Sequence, residues 1–490
     1  MGWEDHIYQK IIQSWEDCNY GIIIGMKLAI LGYGAEGKSI EKYFKTHPYE
    51  NVPPDNIDIE IFDNFKDEDI DNLGLDDFDV IFRSPSVPPH YDFKQYESEN
   101  KPDSPMGTEY LYLQDKPYWT SATKYFFQHC PCEIIAVSGT KGKGTTCSMI
   151  TAILESINQQ IYKDSSDRPN VYLVGNIGNP VLDVLDKIKS HDEVVFEMSS
   201  FQLWDLHESS YIGVLLRIEP DHLNIHRGFD DYLYAKSTIA RYKKPTEHLV
   251  YFSNNPNTNS IAKKSAAIKH QYPITDDNTQ LSTKGENRLI EALDSLQIPG
   301  AHNRENAEAA LLAVAARYQH GDLDGLLCSE LYPAIKSALA NFSGLPHRCQ
   351  FLRELKHVKY YDDNYSSALP AMDVALKAFE DYPTILIAGG YSKGTDQEIK
   401  ERIFSAKNLH KAILIGSTAQ ILADGEDKAK YELANSLEDA VKKARAAAEA
   451  IATKDKPAVV LMSPGFASFD MFKNFTDRGE QFAKLVKGLK

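Results

Sequence analysis

No apolar run in this chain approaches the roughly 18 residues that a membrane span requires. Residues 1–20 are acidic and lack the apolar core of a signal peptide. Cysteine is scarce: the six in 490 residues are Cys18, Cys130, Cys132, Cys147, Cys328 and Cys349. They form no C-x-x-C pair and match no disulfide framework. Reduced thiols in a cytoplasmic protein are the simplest expectation. Excess positive charge is missing too, since 53 Lys+Arg against 70 Asp+Glu leave a net charge of −17. That balance argues against general binding to nucleic acid or anionic membranes, so an anionic substrate must be met by locally placed Lys, Arg and metal. No short solenoid repeat is present. What remains, 42% hydrophobic and 25% charged residues, is ordinary for a soluble globular protein. The length exceeds one core, and about two to four domains are expected.

Residues 134–150, IIAVSGTKGKGTTCSMI, organise the reading. A short apolar run predicts a buried strand, followed by a glycine-rich turn and a helix opening near Thr145. Strand, glycine loop and helix start together make a phosphate site, because backbone N–H groups and the helix dipole point at an anion. Lys143 would reach the β/γ-phosphates, and the Thr145 or Thr146 hydroxyl would bind Mg²⁺. The usual pattern has a further glycine where this chain has Val137, so the loop is a shortened G-x-x-G-K-G-T. By pattern alone it competes with a Gly/Lys-rich surface turn.

Upstream, Ile7, Ile11, Ile12, Trp15 and Cys18 fall at helical spacing and predict a short amphipathic helix in an appendage before Met26. From Lys27 the chain reads strand, Gly32-Tyr33-Gly34-Ala35-Glu36-Gly37, then helix from Lys38, with a second strand ending in Asp63. A dinucleotide fold places such an acid about 20 residues past the loop, and here the gap is longer. An NAD-type site, another nucleotide or nucleotide-sugar site, and tight strand–helix packing all stay open. A third strand ends in Ser84-Pro85-Ser86, on the side of an α/β sheet where ligands sit.

Past the central loop, the turn LVGNIGNP holds Asn176, and EVVFEMSSFQL is a buried strand with Glu197 at its tip. A carboxylate there is a metal-ligand candidate, or a helix-capping acid. VLLRIEPDHLNIH ends in Glu219, Asp221, His222 and His226, an acid–His cluster that favours Mg²⁺, whereas no His/Cys set has zinc spacing. Lys236, in a following helix, reads by pattern as a surface or snorkelling lysine. Residues 250–300 read as strands with loops. The helix from Gly300 offers Asn303 and Asn306, which cap it or face an adenine. After a break at residues 340–348 the strand–helix alternation restarts as a third α/β domain.

In order along the chain, GTKGKGTT, VGNIG, FEMSSFQL, EPDH, Ala235-Lys236, G-x-H-N-x-x-N and GLPHR resemble the motifs of the Mur ligase superfamily. The C-terminal LMSPGFASFDMFKNFTDRGEQF and IAGGYSKGTD are most similar to its D-glutamate-adding branch. Gly144 is equally similar to the folyl-polyglutamate branch. The resemblance covers roughly residues 27–490 and implies three domains: a Rossmann-like N-terminal domain, a central P-loop ATPase domain with a mostly parallel sheet, and a Rossmann-like C-terminal domain. The expected boundaries are 1–25 for the appendage, 26–128 for the UDP-substrate domain, 129–342 for the ATP domain and 343–490 for the amino-acid domain.

The resemblance further implies an ATP-dependent cytoplasmic ligase, expected as a monomer, that joins UDP-N-acetylmuramoyl-L-alanine (UDP-MurNAc-L-Ala) to D-glutamate in peptidoglycan precursor synthesis. Gly139, Thr140, Lys141, Gly142, Lys143, Gly144 and Thr145 would bind the ATP phosphates. Asn306, Arg348 and Asp363 would contact the adenosine. Thr145, Glu197, His222 and a carbamylated Lys236 would hold two Mg²⁺ ions. Asn176 would sit near the reacting end of the nucleotide-linked substrate. Gly34, Ala35, Glu36, Gly37 and Ser84 would hold the uridine diphosphate. Ser367, Lys393, Ser468 and Phe475 would form the acceptor site. The chain departs from the family at Tyr365, where a lysine is usual, at Ser367, where threonine is usual, and at Ser86, where glycine is usual. The rivals are a folyl-polyglutamate-type ligase, an NAD-dependent oxidoreductase built on Gly32–Gly37, and a non-catalytic ATP-binding regulator.

Overall fold

The computed structural model describes residues 25–490 apart from 65–69, 71, 90–116, 164 and 276. The helix expected before Met26 lies outside the described residues. The strands sort into three sheets. The first comprises β1 (Met26–Leu31), β2 (Ile57–Phe62), β3 (Val80–Arg83) and β4 (Tyr118–Thr120), in the order β2-β1-β3-β4 and parallel throughout. The second comprises β5 (Ile134–Ser138), β6 (Val171–Gly175), β7 (Glu193–Glu197), β8 (Ile212–Leu215), β9 (His248–Phe252) and β10 (Ile268–Tyr272). Its order is β10-β9-β8-β5-β7-β6, again all parallel. The third comprises β11 (Gln350–Leu355), β12 (Val358–Asp362), β13 (Thr384–Ala388), β14 (Leu409–Leu414), β15 (Tyr431–Leu433) and β16 (Ala458–Met462). Its order is β11-β12-β16-β13-β14-β15, parallel except for the β11–β12 hairpin. This is the α/β class with mostly parallel sheets that the sequence led us to expect.

The unbroken apolar runs of β5, β8 and β16 follow from helices covering both faces of a parallel sheet. Period 2 then divides β5 between two cores. Ile135 and Val137 pack with Ile150, Ile153 and Leu154 of the helix Lys143–Ile161, while Ile134 and Ala136 pack on the other side with Phe126 and Phe196. That second core also takes in Phe44 and Phe82 of the first sheet's layer, and Phe126 meets Phe196 edge-on at 5.7 Å. The first two sheets are therefore joined through a continuous apolar layer. Truncating Phe196 to alanine would cost about 3–5 kcal/mol.

The segment 250–300 departs from the strands-and-loops reading: besides β9 and β10 it holds the helices Pro256–Lys264 and Thr283–Asp294. Their start signals were present in the sequence. Asn255 caps the first through its side chain with Pro256 at the opening position, and Ser282 caps the second. The polar composition belongs to their outer faces. The first helix begins at Ala35 rather than Lys38, and the phosphate-loop helix at Lys143 rather than Thr145.

Candidate active site

The strands β5, β7 and β8 run parallel, so their C-terminal ends open onto one edge, where the central loops gather. Gly139 has φ 151° and a Cβ there would lie 2.6 Å from Leu216 Cβ. Gly142 has φ 88°, and its Cβ would lie 2.6 Å from Asn306 Oδ1. Neither position has room or dihedral freedom for a side chain. Thr140 fixes the loop from beneath: its hydroxyl accepts from Glu219 N–H at 2.9 Å and lies 2.9 Å from the Tyr232 hydroxyl, while its N–H donates to Arg217 C=O. Lys143 curls over this loop and donates to the carbonyls of Gly139 and Thr140, each at 3.1 Å. Burial lowers its pKa, and the nearby Glu197 carboxylate pulls the other way. Lys141 points outward and Thr145 is partly exposed. Thr146 is fully buried and donates to Asn306 Oδ1 at 3.3 Å, which leaves Thr145 as the less buried of the two hydroxyl residues.

Glu197, at the end of β7, is 3% exposed. Its Oε1 accepts from Asn176 Nδ2 at 3.4 Å, and its Oε2 is buried with no hydrogen-bond partner. A Cβ on Gly144 would lie 3.6 Å from that oxygen. Lys236 is 1% exposed and donates to Ser138 Oγ at 3.0 Å, and Ser138 in turn donates to Met198 C=O. It is therefore neither a surface nor a snorkelling lysine. Burial holds its pKa well below the ordinary lysine value; the charge of Lys143 adds to this, and Glu197 and Asp221 oppose it.

The two histidines after β8 separate cleanly. His226 is buried, with Nδ1 3.3 Å from Asp231 Oδ2, Nε2 2.9 Å from Ser200 Oγ, and its ring stacked on Phe201. It is a satisfied core residue. His222 is half-exposed, has φ 54°, and meets the Phe201 ring edge-on at 5.2 Å. Among the described residues, no three His, Cys, Asp or Glu side chains cluster to hold a metal.

The first glycine loop is tied to this region. Ser84 spends its hydroxyl on Gly32 C=O at 2.6 Å. Glu36 accepts from Gln202 Nε2 at 2.9 Å, its Oε2 is shielded and unpartnered, and burial raises its pKa. Gln202 also closes the capping box with Ser199, one turn beyond Glu197. Arg83 clamps Asp205 and donates to Phe201 C=O at 2.9 Å. Gly34 and Ala35 lie exposed beside them, while Gly37 is buried under Gly32 C=O. Asp63, the acid weighed as a ribose ligand, accepts instead from Tyr33 N–H in the loop itself at 3.2 Å.

From the other side, residues 343–348 cross the phosphate loop, and a Cβ on Gly144 would also touch Leu345 at 3.0 Å. His347 (φ 63°) and Cys349 (φ 43°) both sit in the left-handed region, with Arg348 between them. Each is pinned by one member of an acidic pair: His347 Nδ1 is 2.7 Å from Asp362 Oδ2, and Cys349 N–H donates to Asp363 Oδ1 at 3.1 Å. Asp363 also accepts from Ser463 at 2.7 Å, and burial raises its pKa to about 6. The exposed Arg348 lies over the Tyr365 ring at 3.9 Å, and its charge helps to lower the pKa of Lys143.

Residues 137–314 match the model of the Mur ligase middle domain. The UDP-N-acetylmuramoylalanine–D-glutamate ligase of Clostridium kluyveri is 30% identical, covering 94% of this chain and 97% of its own length. That of Acetivibrio thermocellus is 31% identical, covering 94% and 96%. The chain belongs to the Mur ligase family. Among solved structures, the MurF ligase of Thermotoga maritima in complex with ADP aligns at 16% identity and TM-score 0.47, over 86% of this chain and 92% of that one.

In this Mur ligase the third sheet brings Ser367 and Ser468 into one stitched set of loops. Gly465 N–H donates to Ser366 C=O, and Tyr391 N–H donates to Ala467 C=O. Buried Arg478 ties Asn364 Oδ1 (2.6 Å) to Phe466 C=O (3.2 Å). Ser468 is 2% exposed, Ser367 partly buried, and Lys393 projects outward. Phe475 is half-exposed and meets Tyr365 edge-on at 5.5 Å. Two residues expected on the adenosine, Asn306 and Asp363, turn their polar atoms inward. Asn306 bonds Thr146 and Asn303, and Asp363 bonds Cys349 and Ser463. The roles of Gln202, Tyr365 and Arg478 were not read from sequence. Signals were present: the S-x-x-Q spacing of Ser199 and Gln202, the departure at Tyr365, and for Arg478 the R-G of the C-terminal motif, whose Gly479 makes room for the His347 ring.

Proposed function

We propose that this Mur ligase uses ATP to join the carboxyl group of UDP-MurNAc-L-Ala to the amine of D-glutamate. The observation that carries the reading is the orphaned Oε2 of Glu197, buried beside Gly144 on a lysine-bearing phosphate loop. A bare carboxylate is a poor electrophile, so the substrate carboxylate first attacks the γ-phosphate of ATP, breaking the bond to the β-phosphate oxygen and expelling ADP, and becomes an acyl phosphate. The neutral amine then adds to the acyl carbon, its nitrogen gives up a proton, and phosphate leaves with the acyl C–O bond broken. Phosphoryl transfer of this kind asks for positioning and charge neutralisation.

The residues present fit magnesium. Glu197 Oε2 has no protein partner, Thr145 is the less buried hydroxyl, and oxygen donors suit a hard cation. In this reading Thr145, Glu197, His222 and a carbamylated Lys236 would hold two Mg²⁺ ions, whose charge would offset that of the phosphate oxygens. Burial lowers the pKa of Lys236, which favours the neutral amine that adds carbon dioxide and releases one proton. Lys143 swings from the carbonyls of Gly139 and Thr140 onto the phosphates, over the backbone N–H groups of residues 139–145. Arg348 covers the adenosine, with Asn306 and Asp363 positioning the walls behind it. Asn176 holds the reacting end of the substrate through its link to Glu197.

The uridine diphosphate is assigned to Gly34, Ala35, Glu36, Gly37 and Ser84 in residues 26–128. ATP is assigned to residues 129–342, and the acceptor to Ser367, Lys393, Ser468 and Phe475 in residues 343–490. The grouping of strands into three sheets supports that division. Among the described residues no helix is long and apolar enough to cross a membrane. The test is phosphate release with UDP-MurNAc-L-Ala, scanning D-Glu, L-Glu and other amino acids. Release should require D-Glu and fall on the order of a hundredfold or more in Lys143→Ala. Near-native release in that variant, or equal release with every amino acid, overturns the reading.

A further inference from the structure

Cys130 and Cys132 take no part in the ligase site. They flank Pro131 in the connection between the helix Ala122–His129, which follows the first sheet, and β5, which leads into the phosphate loop. Their sulfurs lie 3.8 Å apart, in van der Waals contact, and both side chains are partly exposed. The pair is chemically unequal. The sulfur–sulfur contact lowers the Cys130 pKa, with burial opposing, whereas that same contact, burial and the nearby Asp192 and Glu193 carboxylates raise that of Cys132; as a thiol, Cys130 also donates to Cys132 C=O at 3.6 Å. The other described cysteines have no neighbouring thiol at hydrogen-bond distance: Cys147 is fully buried in the core, and Cys328 lies beside Ser282 and Asp324.

We propose that Cys130 and Cys132 form a dithiol modification site that reacts with low-molecular-weight disulfides and closes into an intramolecular disulfide. Cys130 thiolate attacks one sulfur of the small disulfide, R–S–S–R, forming a mixed disulfide and expelling RS⁻, which takes up a proton. Cys132 then loses its proton and attacks the Cys130 sulfur, and the second RS⁻ leaves as RSH. The protein is oxidised by two electrons, and R–S–S–R is reduced to two thiols. Proximity makes the second step intramolecular, and the unequal thiols set the order of attack. The bond would end two residues before β5, at the junction between the first sheet's last helix and the phosphate strand.

The test uses the full chain incubated with oxidised glutathione, quenched in acid, alkylated and digested with trypsin. Both cysteines fall in the peptide spanning residues 125–141. The expected product is that peptide lighter by two hydrogens, unalkylated, and restored by dithiothreitol. Cys132→Ser should instead trap glutathione on Cys130, and Cys130→Ser should react about tenfold more slowly. Accumulation of glutathione adducts on the wild-type peptide without the lighter species, or full alkylation as in untreated protein, overturns the proposal. The wild-type readout holds whether or not either variant folds.

Discussion

Lys236 donates to Ser138 Oγ at 3.0 Å in a site where, among the described residues, it makes no ion pair. A buried ammonium without a carboxylate partner is costly, and the physical response is a lowered pKa. Easier loss of that proton favours carbamylation, which requires the neutral amine, and the carbamate would turn a cation beside Lys143 into an anion.

Lys236→Ala should therefore lower phosphate release on the order of a hundredfold or more, with recovery when short-chain carboxylic acids are added. Wild-type protein given ¹³C-bicarbonate should show a carbamate resonance that the variant lacks. An unlabelled wild type together with no rescue of the variant would remove the carbamate from the mechanism.

Asp363 provides a pH signature of folding. Its pKa is raised to about 6 in the folded chain, against about 3.9 for an unperturbed aspartate. The folded state binds the proton more tightly, so the stabilisation is complete below pH of about 4 and is lost as pH rises through about 6. Two units correspond to about 3 kcal/mol. Asp363→Asn has no such titration and should gain on wild type by up to that amount between pH 4 and 7. Thermal midpoints across that range check it. A constant difference between the two proteins would contradict the assignment.

Much of this was legible in the sequence. The alternation of apolar runs and helices predicted parallel sheets, since buried parallel strands are apolar on both faces. Gly139 and Gly142 announced a loop that admits no side chain. What was not legible depends on residues far apart in sequence. Nothing around Asn306 says that its amide would be spent on Thr146, 160 residues away. Lys236 resembles a solvent lysine because helical spacing does not reveal that Tyr232 and Ser138 close over it. The helices Pro256–Lys264 and Thr283–Asp294 were missed for a different reason: polar outer faces outweighed cap signals that were present.

Tyr365 carries Arg348 on its ring at 3.9 Å while meeting Phe475 edge-on at 5.5 Å. A half-exposed cation–π contact is worth about 0.5–1 kcal/mol. Tyr365→Ala should raise KM for ATP about two- to fivefold with a smaller change in kcat. Tyr365→Phe keeps the ring and should stay near native. Equal defects in both variants would mean that the hydroxyl, and not the ring, matters.

Glu36 sets the last test. Its Oε1 accepts from Gln202 Nε2 at 2.9 Å, while Oε2 is shielded and unpartnered. Burial raises its pKa, with the Gln202 bond and Arg83 opposing. An acid in the first turn of a helix ordinarily complements the dipole, but the proposed function puts a diphosphate at this same helix start. Two anions there repel, so binding should favour protonated Glu36. Affinity for UDP-MurNAc-L-Ala should then weaken as pH rises through the raised pKa. Glu36→Gln keeps an oxygen for Gln202 and removes the charge. Calorimetry over a series of pH values should show it binding about three- to tenfold tighter than wild type above the raised pKa, with a flat pH profile. Folding stability follows the same sign: the contribution of protonated Glu36 is present at low pH and lost above its raised pKa, and the variant lacks that loss. Weaker binding by Glu36→Gln, or a pH slope equal to wild type, would place the diphosphate elsewhere.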